Sequence, residues 1–276
     1  MRARKARGLV LRLQGAALVL VMVFFMFPII WLFMTSFKTP IDAFSIPPKL
    51  IFRPTLENYV DVIKMHNFFS YYKNTVVIAV SSTAISMVFG TLGAYALSRY
   101  NFKGKGVVAG LILGSRFTPP IAIILPIFVI VRDLRLLDTY YPLIFLYTLA
   151  NMSFVVFLMR SFFDDVPIEI EEAARVDGCT TFDVLWRVAL PLARGGLATT
   201  AIFCIILAWN EFLWALLLTY GDATTLPVTI NSFIMETGIA WGQMAAASVL
   251  VTLPLLVFAL IIQKKLISGL TFGVIK

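Results

Sequence analysis

The stretch IEEAARVDGCTTFDVLWRVALPL, residues 170–192, lies between two long apolar segments. It begins with adjacent carboxylates at Glu171 and Glu172 and closes at Pro191. The chain of 276 residues carries a formal net charge of +8, so this acidic stretch opposes the charge of its surroundings. A helix lying on anionic lipid would carry Lys and Arg instead. The stretch therefore favours a basic protein surface as its partner.

The first half of the stretch predicts a short helix. Asp165 and Pro167 are suited to its start, because proline is favoured at the first helical position. Glu171 and Arg175 have the spacing and orientation of a favourable i,i+4 ion pair. Residues 173–174 are both alanine, and such small side chains permit close approach to a groove.

The second half predicts a turn and a further helix. Gly178 suits the left-handed position that ends a helix. Thr180 is placed to cap the next helix, and Asp183, three residues later, completes a weaker form of the capping box. Pro191 prevents the helix from continuing. The stretch is thus a helix-turn-helix that projects from its surroundings.

The flanking segments predict a polytopic membrane protein. The chain is 60% apolar and 14% charged, and the charged share is about half that of soluble domains. A hydrocarbon core of about 30 Å requires roughly 20 apolar residues per helix. A soluble domain of this size would not bury so many long apolar helices. We therefore expect an all-α fold, a single transmembrane domain over residues 1–276, with six spans at residues 15–36, 73–97, 106–132, 140–161, 196–219 and 244–263.

Charge distribution predicts the orientation of these spans. The first span is kept as a helix because its uncharged run is too long for a signal peptide and no small-residue cleavage site follows. Six spans put both termini on one side, and most Lys and Arg residues fall there, so both termini are predicted to be cytoplasmic. Residues 163–195 then form a cytoplasmic loop. Topology accounts for the basic charge, so no nucleic-acid partner is expected.

Few residues suggest metal or redox chemistry. Cys179 lies in the cytoplasmic loop and Cys204 in a span, so no structural disulfide and no metal site are expected. The single histidine, His66, is interpreted as a surface residue of the first outer loop.

Two of the spans are irregular. The third contains Arg116 followed by Pro119 and Pro120, which predicts a kinked or broken helix. The fifth carries Asn210 and Glu211 near its middle, and a carboxylate at that depth costs about 3 kcal/mol, so it should face the bundle interior. These polar groups either line a translocation pathway or gate, or only join helices. The candidate pathway residues are Arg116, Tyr147, Asn151, Trp209, Asn210, Glu211 and Trp214.

Residues 172–191, EAARVDGCTTFDVLWRVALP, resemble the EAA loop of ABC importer permeases. That pattern is EAA, three residues, Gly, nine residues and I-x-L-P; here Val188 replaces the isoleucine. The stretches SRFTPPIAIILP, WNEFLWALL, TTLPVTI and the tail QKKLISGLTFGVIK are similar to the carbohydrate-uptake, maltose-type branch of these permeases. The resemblance covers essentially the whole chain.

The resemblance implies a type I ABC importer transmembrane domain that imports a sugar or polyol by alternating access. It implies two separate ATPase subunits that bind ATP and Mg, and no cofactor or enzymatic site on this chain. A second homologous permease chain, giving a heterodimer, and an extracytoplasmic solute-binding protein complete the implied assembly. Its implied location is a bacterial or archaeal cytoplasmic membrane.

The resemblance also implies roles for the loop. Glu172 would be the anchoring carboxylate, the alanine pair the close-contact surface and Gly178 the turn that enters a cleft on the ATPase subunit. The implied coupling residues are Glu171, Glu172, Ala173, Ala174, Asp177, Gly178, Leu190 and Pro191. The C-terminal tail resembles family tails that reach the ATPase interface.

Other function classes fit the sequence less well. Secondary transporters often have paired midplane charges and inverted repeats, whereas the intramembrane charges here are Arg116 and Glu211 and no inverted halves are evident. Motifs of metalloproteases, serine hydrolases and P-loop ATPases are missing from the sequence. The sequence leaves open which sugar or polyol is carried, whether the solute is a carbohydrate, which permease chain holds it, and whether the permeases form a homodimer.

Overall fold

Long apolar helices dominate the computed structural model, which describes residues 2–65, 68–235 and 238–271. His66 lies outside the described residues. Within the described part, four helices are long and apolar enough to cross a membrane: α1 Arg2–Ser36, α4 Phe68–Arg99, α7 Tyr140–Asp164 and α14 Trp241–Thr271. They contain the first, second, fourth and sixth predicted spans.

The third predicted span is broken, as the prolines indicated. Helix α5, Lys105–Phe117, and helix α6, Pro120–Asp133, meet at an angle of 90°. Pro119 is extended and caps α6, and Pro120 occupies one of its first helical positions. The helix stops because the residue before a proline avoids the helical conformation and each proline lacks a backbone donor.

The fifth span differs from the continuous helix predicted over residues 196–219. Helix α11, Arg194–Trp209, ends at Asn210, and a new helix, α12, begins at Leu213 and ends at Leu218. The carboxylate of Glu211 accepts the N–H groups of Leu213 and Trp214, which would otherwise need carbonyl partners in a continuous helix. Glu211 thus starts α12 by capping it.

The helices before α11 form the segment singled out in the sequence. Helix α8 is Ile168–Val176, and a helical run follows at Thr181–Leu192. That run consists of α9 Thr181–Asp183, a π-helix Val184–Ala189 and α10 Leu190–Leu192. It ends one residue after Pro191 and meets α11 at 79°.

The chain divides into two compact units, residues 1–68 with 230–253 and residues 69–229 with 254–276. The first unit contains α1, the start of α14 and these short elements: α2 Pro40–Ala43, α3 Glu57–Met65, a 3-10 helix Ile230–Phe233, and antiparallel strands β1 Ile234–Met235 and β2 Gly238–Ile239. In this unit the Asn58 amide donates to the carbonyls of Ser36 (2.9 Å) and Lys38 (2.8 Å), which anchors α3 to the end of α1.

The second unit contains α4 through α13, the last being Leu226–Thr229. Its buried apolar residues include Ala94 and Tyr95 from α4, Val155 and Met159 from α7, and Cys204 from α11. Membrane helices associate through close packing rather than through a hydrophobic driving force. Small residues on α4 are therefore expected to control its approach to α7.

Gly90 provides a test of this packing. A Cβ atom at Gly90 would lie 2.7 Å from Cβ and Cγ1 of the fully buried Val155 and 3.3 Å from the Met152 carbonyl. Alanine normally favours a helix over glycine by about 1 kcal/mol, but overpacking costs about 1–3 kcal/mol. We expect Gly90→Ala to lower the melting temperature of the detergent-solubilised chain. The matched control is Gly93→Ala, whose Cβ would be 3.4 Å from Val156 and should not lower it.

Candidate functional site

Helix α8 has one buried side chain, the carboxylate of Glu171, whose exposed fraction is 0%. Glu171 Oε1 accepts from Arg99 Nε at 2.8 Å, and Oε2 accepts from the Tyr95 hydroxyl at 2.8 Å. The predicted ion pair between Glu171 and Arg175 is therefore replaced by a pair with Arg99 of α4. Burial explains the difference, because a carboxylate turned into the protein needs a buried counter-ion rather than an exposed one.

Arg99 also binds the end of α7. Its Nη2 donates to the carbonyls of Phe163 at 2.7 Å and Val166 at 2.9 Å. The last carbonyls of a helix have no partner within that helix, and a cation is favourable beside them. The Arg99 side chain, 7% exposed, thus joins α4, the end of α7 and α8. The sequence does not predict this role, because Arg99 was counted only among the Lys and Arg residues that indicate the cytoplasmic side of the membrane.

The start of α8 also differs from its prediction. Asp165 follows the last residue of α7, and its N–H donates to the Ser161 carbonyl, so Asp165 belongs to the end of α7. Pro167 is the residue that precedes α8. The prediction was wrong about Asp165 because α7 continues to Asp164, beyond the predicted end of the fourth span.

The opposite face of α8 is exposed. We give the name outer coupling surface to eight exposed residues of α8, the turn and the following helical run: Glu172, Ala173, Val176, Asp177, Gly178, Phe182, Trp186 and Pro191. Arg175 and Arg187 are also exposed on these helices. Val176 is 88% exposed, and the rings of Phe182 and Trp186 lie 5.9 Å apart. Ala174 and Leu190 are half-buried at its edge. The surface is acidic and apolar together.

The turn inside this surface has the predicted form. Gly178 has a φ of +89°, the left-handed conformation that glycine adopts without strain. The Thr180 hydroxyl accepts the Asp183 N–H, and the Asp183 carboxylate accepts the Thr180 N–H, each at 3.2 Å. This capping box is confirmed, and hydrogen bonds from Thr180 hold the pKa of Asp183 below its usual value. The two helices are therefore held at a defined turn.

A second polar cluster lies within the spans. Besides the two backbone N–H groups that it caps, Glu211 accepts the hydroxyl of the buried Tyr147 at 2.7 Å. Trp214 is buried beside Tyr147 in the same apolar cluster. The structure thus brings together three of the candidate pathway residues, Tyr147, Glu211 and Trp214.

The other candidate pathway residues make separate contacts. Arg116 is exposed, donates to the Ala150 carbonyl at 3.4 Å, and lies 5.2 Å from the ring centroid of Phe154. Asn151 is buried and donates to the Cys204 carbonyl at 3.3 Å. Trp209 is buried, and its ring lies 5.7 Å from that of Tyr72. Asn210 is exposed and donates to the Ile206 carbonyl.

The Glu211 contacts predict a graded effect of substitution. Glu211→Leu removes the acceptor for two backbone N–H groups and one hydroxyl, and leaving such groups unpaired costs about 1–3 kcal/mol each. Glu211→Gln keeps an acceptor oxygen, so we expect a much smaller loss of thermal stability. Asn210→Leu is the control, because this exposed neighbour bonds only its own helix. Equal melting temperatures for the leucine and glutamine variants of Glu211 would contradict the capping role.

The sequence interpretation also missed a network in the loops. Asp138, between α6 and α7, accepts the backbone N–H groups of Tyr220, Gly221, Asp222 and Ala223 at 2.9–3.1 Å. Burial favours the neutral acid, but these four donors hold the pKa of Asp138 below its usual value. The segment after α12 is thereby fixed to the start of α7. The sequence shows Asp138 only as an acidic residue in a loop, a pattern that is equally typical of a solvent-exposed turn.

Replacing Asp138 with asparagine should loosen this segment. We expect faster hydrogen exchange at residues 220–223, because the amide is a weaker acceptor than a carboxylate. Asp133→Asn, an exposed neighbour paired with Arg132, is the control. The lowered pKa means that the carboxylate stabilises the fold above its ordinary pKa and loses this effect only as the pH falls through the lowered value. The exchange rates should therefore not respond to Asp138 titration between about pH 5 and pH 8.

Within the described part of the chain, no group of three or more His, Cys, Asp or Glu side chains is placed to hold a metal ion. The polar groups described above are instead held by protein partners. The arrangement offers an exposed acidic and apolar surface together with buried interhelical contacts.

Comparison with known proteins gives consistent matches. The family model "Binding-protein-dependent transport system inner membrane component" matches residues 86–271, which include α8, the outer coupling surface and Glu211. The chain is 36% identical to the trehalose/maltose transport system permease protein of Thermococcus litoralis over 94% of both chains. It is 35% identical to the diacetylchitobiose uptake system permease protein of Streptomyces coelicolor over 91% of both.

A solved structure has the same fold. A chain of a bacterial ABC transporter involved in the import of the acidic polysaccharide alginate superposes with a TM-score of 0.78. The two chains are 26% identical, and the match covers 96% of this chain and 98% of that one. The match spans the broken third and fifth helices as well as the four long ones.

Proposed function

The chain belongs to the family of binding-protein-dependent transport system inner membrane components, and on that premise we propose that the solute it imports is a sugar or polyol. The chain is a multi-pass membrane permease and the transport component of an ABC importer, in which ATP is hydrolysed by separate subunits. Relatives named for trehalose, maltose and diacetylchitobiose support the carbohydrate assignment. The relative that imports alginate extends the same class to acidic polysaccharides.

The outer coupling surface is the proposed contact with the ATPase subunit. One observation carries this proposal: adjacent carboxylates of α8 have opposite environments, with Glu171 buried against the protein and Glu172 exposed. An exposed carboxylate beside Ala173 and Val176 suits a cleft that is basic at one point and apolar at another. Gly178 then allows the tight turn between the two docking helices.

The family supports a proposal for the remaining assembly. Two ATPase subunits would bind ATP and Mg, a second permease chain would form a heterodimer with this one, and a solute-binding protein would deliver the cargo. Both termini would lie in the cytoplasm, on the same side as the outer coupling surface. The residues Arg116 and Asn210, whose side chains are exposed at the breaks of the third and fifth spans, are proposed to line the pathway between the permeases.

The cargo is tested most directly through the binding protein. The product of the neighbouring reading frame would be purified and titrated with maltose, trehalose, diacetylchitobiose, glycerol phosphate and alginate oligosaccharides. We expect saturable binding of one class of carbohydrate or polyol, followed by uptake of that compound into liposomes that hold the whole transporter and ATP. Binding of an amino acid or a metal ion with no binding of any carbohydrate or polyol would overturn the assignment.

A further inference from the structure

We propose that Tyr95, Arg99 and Glu171 form a buried hydrogen-bonded contact, here called the joint, that transmits movement of α8 to α4. These three are positioning residues, since they act through the helices that they connect. The proposal rests on the proposed function, because the movement begins when the ATPase subunit displaces the outer coupling surface.

The fully buried side-chain contact of α8 with the rest of the second unit is ionic. Glu171 is the buried residue of this helix, whereas Ile168, Ile170 and Val176 are all exposed. A helix held by apolar contact can slide over its neighbour with little change in buried area. Here Arg99 donates a charge-assisted hydrogen bond of 2.8 Å to one carboxylate oxygen of Glu171, and the Tyr95 hydroxyl donates to the other oxygen. The two bonds together fix the distance and the orientation of α8 relative to α4.

Burial makes this contact difficult to open. Separation of Arg99 from Glu171 would leave a fully buried carboxylate without its buried counter-ion, which is strongly unfavourable. A displacement of α8 therefore moves Arg99 with it, and Arg99 is the last residue of the membrane-length helix α4. The same guanidinium holds the carbonyls of Phe163 and Val166, so the end of α7 follows.

The experiment uses the whole transporter in liposomes, with its ATPase subunits, second permease and binding protein. Spin labels at Ile168→Cys on α8 and Leu92→Cys on α4, both exposed and both outside the outer coupling surface, report the distance between the helices, in a background with Cys179→Ser. The joint is removed by the pair R99M/E171M, which leaves no unpaired charge. The control E169Q removes an acidic charge from an exposed position of the same helix.

Two readouts are compared: the width of the label distance distribution with and without ATP, and the stimulation of ATP hydrolysis by the binding protein. In the unsubstituted joint and in E169Q we expect a narrow distribution in both nucleotide states. In R99M/E171M we expect a broad one and a stimulation reduced at least about fivefold, the size of a typical coupling free energy. R99K, which keeps the charge but not the planar fork, should recover part of the stimulation.

Wild-type width and wild-type stimulation in R99M/E171M would overturn the joint. If that variant fails to co-purify with the ATPase subunits, E171Q, which keeps the shape of the side chain, is measured by the same two readouts and decides in the same way. A broadened distribution with unchanged stimulation also overturns the proposal, because it indicates a purely structural contact. Failure of the proposed function is distinguishable, since the unsubstituted chain would then not bind the ATPase subunits at all.

Discussion

Replacement of Glu172 with lysine is expected to abolish binding of the ATPase subunits while the chain still inserts into the membrane. Glu172 is exposed on α8, so the substitution leaves the buried contacts of the helix unchanged. A lysine that faces a basic cleft places like charges together, which costs several kcal/mol at an interface. Each 1.4 kcal/mol is a tenfold change in affinity, so we expect a loss of at least about a hundredfold. Co-purification of tagged ATPase subunits with the permease measures it.

The matched control is Asp165→Lys, which makes the same charge change at an exposed residue just before α8. It should leave co-purification unchanged, because Asp165 lies at the end of α7 rather than on the outer coupling surface. Retention of the ATPase subunits by Glu172→Lys at wild-type levels would sink the docking role of this surface. Loss in both variants would attribute the effect to the net charge of the loop instead of to Glu172.

Local chemistry accounts for the features of the fold that the sequence predicted correctly. The long helices follow from runs of apolar residues, and the break at Thr118–Pro119 follows from the restrictions that proline imposes on itself and its neighbour. The capping box of Thr180 and Asp183 and the left-handed Gly178 likewise depend on residues close in sequence. These features need no knowledge of the tertiary structure.

The features that were missed are long-range. Arg99 and Glu171 are far apart in the chain, and each also has a local interpretation, as a topology charge and as an i,i+4 partner of Arg175. The interruption at Glu211 was missed because a carboxylate inside an apolar run is equally consistent with an intact helix that turns its charge inward. In both places the carboxylate accepts a hydrogen bond from a side chain on another helix, Arg99 or Tyr147, that the local pattern does not contain.

Removal of Arg99 alone is expected to be far more damaging than removal of Arg99 and Glu171 together. In Arg99→Met the Glu171 carboxylate remains buried with only the Tyr95 hydroxyl as partner, and the Phe163 and Val166 carbonyls lose a donor. Breaking a buried pair in this way costs about 3–5 kcal/mol in the free energy of unfolding. The double replacement R99M/E171M substitutes apolar groups of similar length and is expected to recover most of that loss.

Thermal unfolding of the four chains, unsubstituted, R99M, E171M and R99M/E171M, yields the coupling free energy of the pair. The matched surface pair is Arg132 and Asp133, whose atoms lie 2.9 Å apart with 56% and 61% of their side chains exposed. Its replacement should change stability by no more than about 1 kcal/mol, since water already solvates both charges. If R99M were as stable as the double variant, Glu171 would not depend on Arg99 as its counter-ion, and the ion pair would not be what fixes α8 to α4. The difference between the buried and the exposed pair thus measures how far burial, rather than charge alone, fixes α8 to α4.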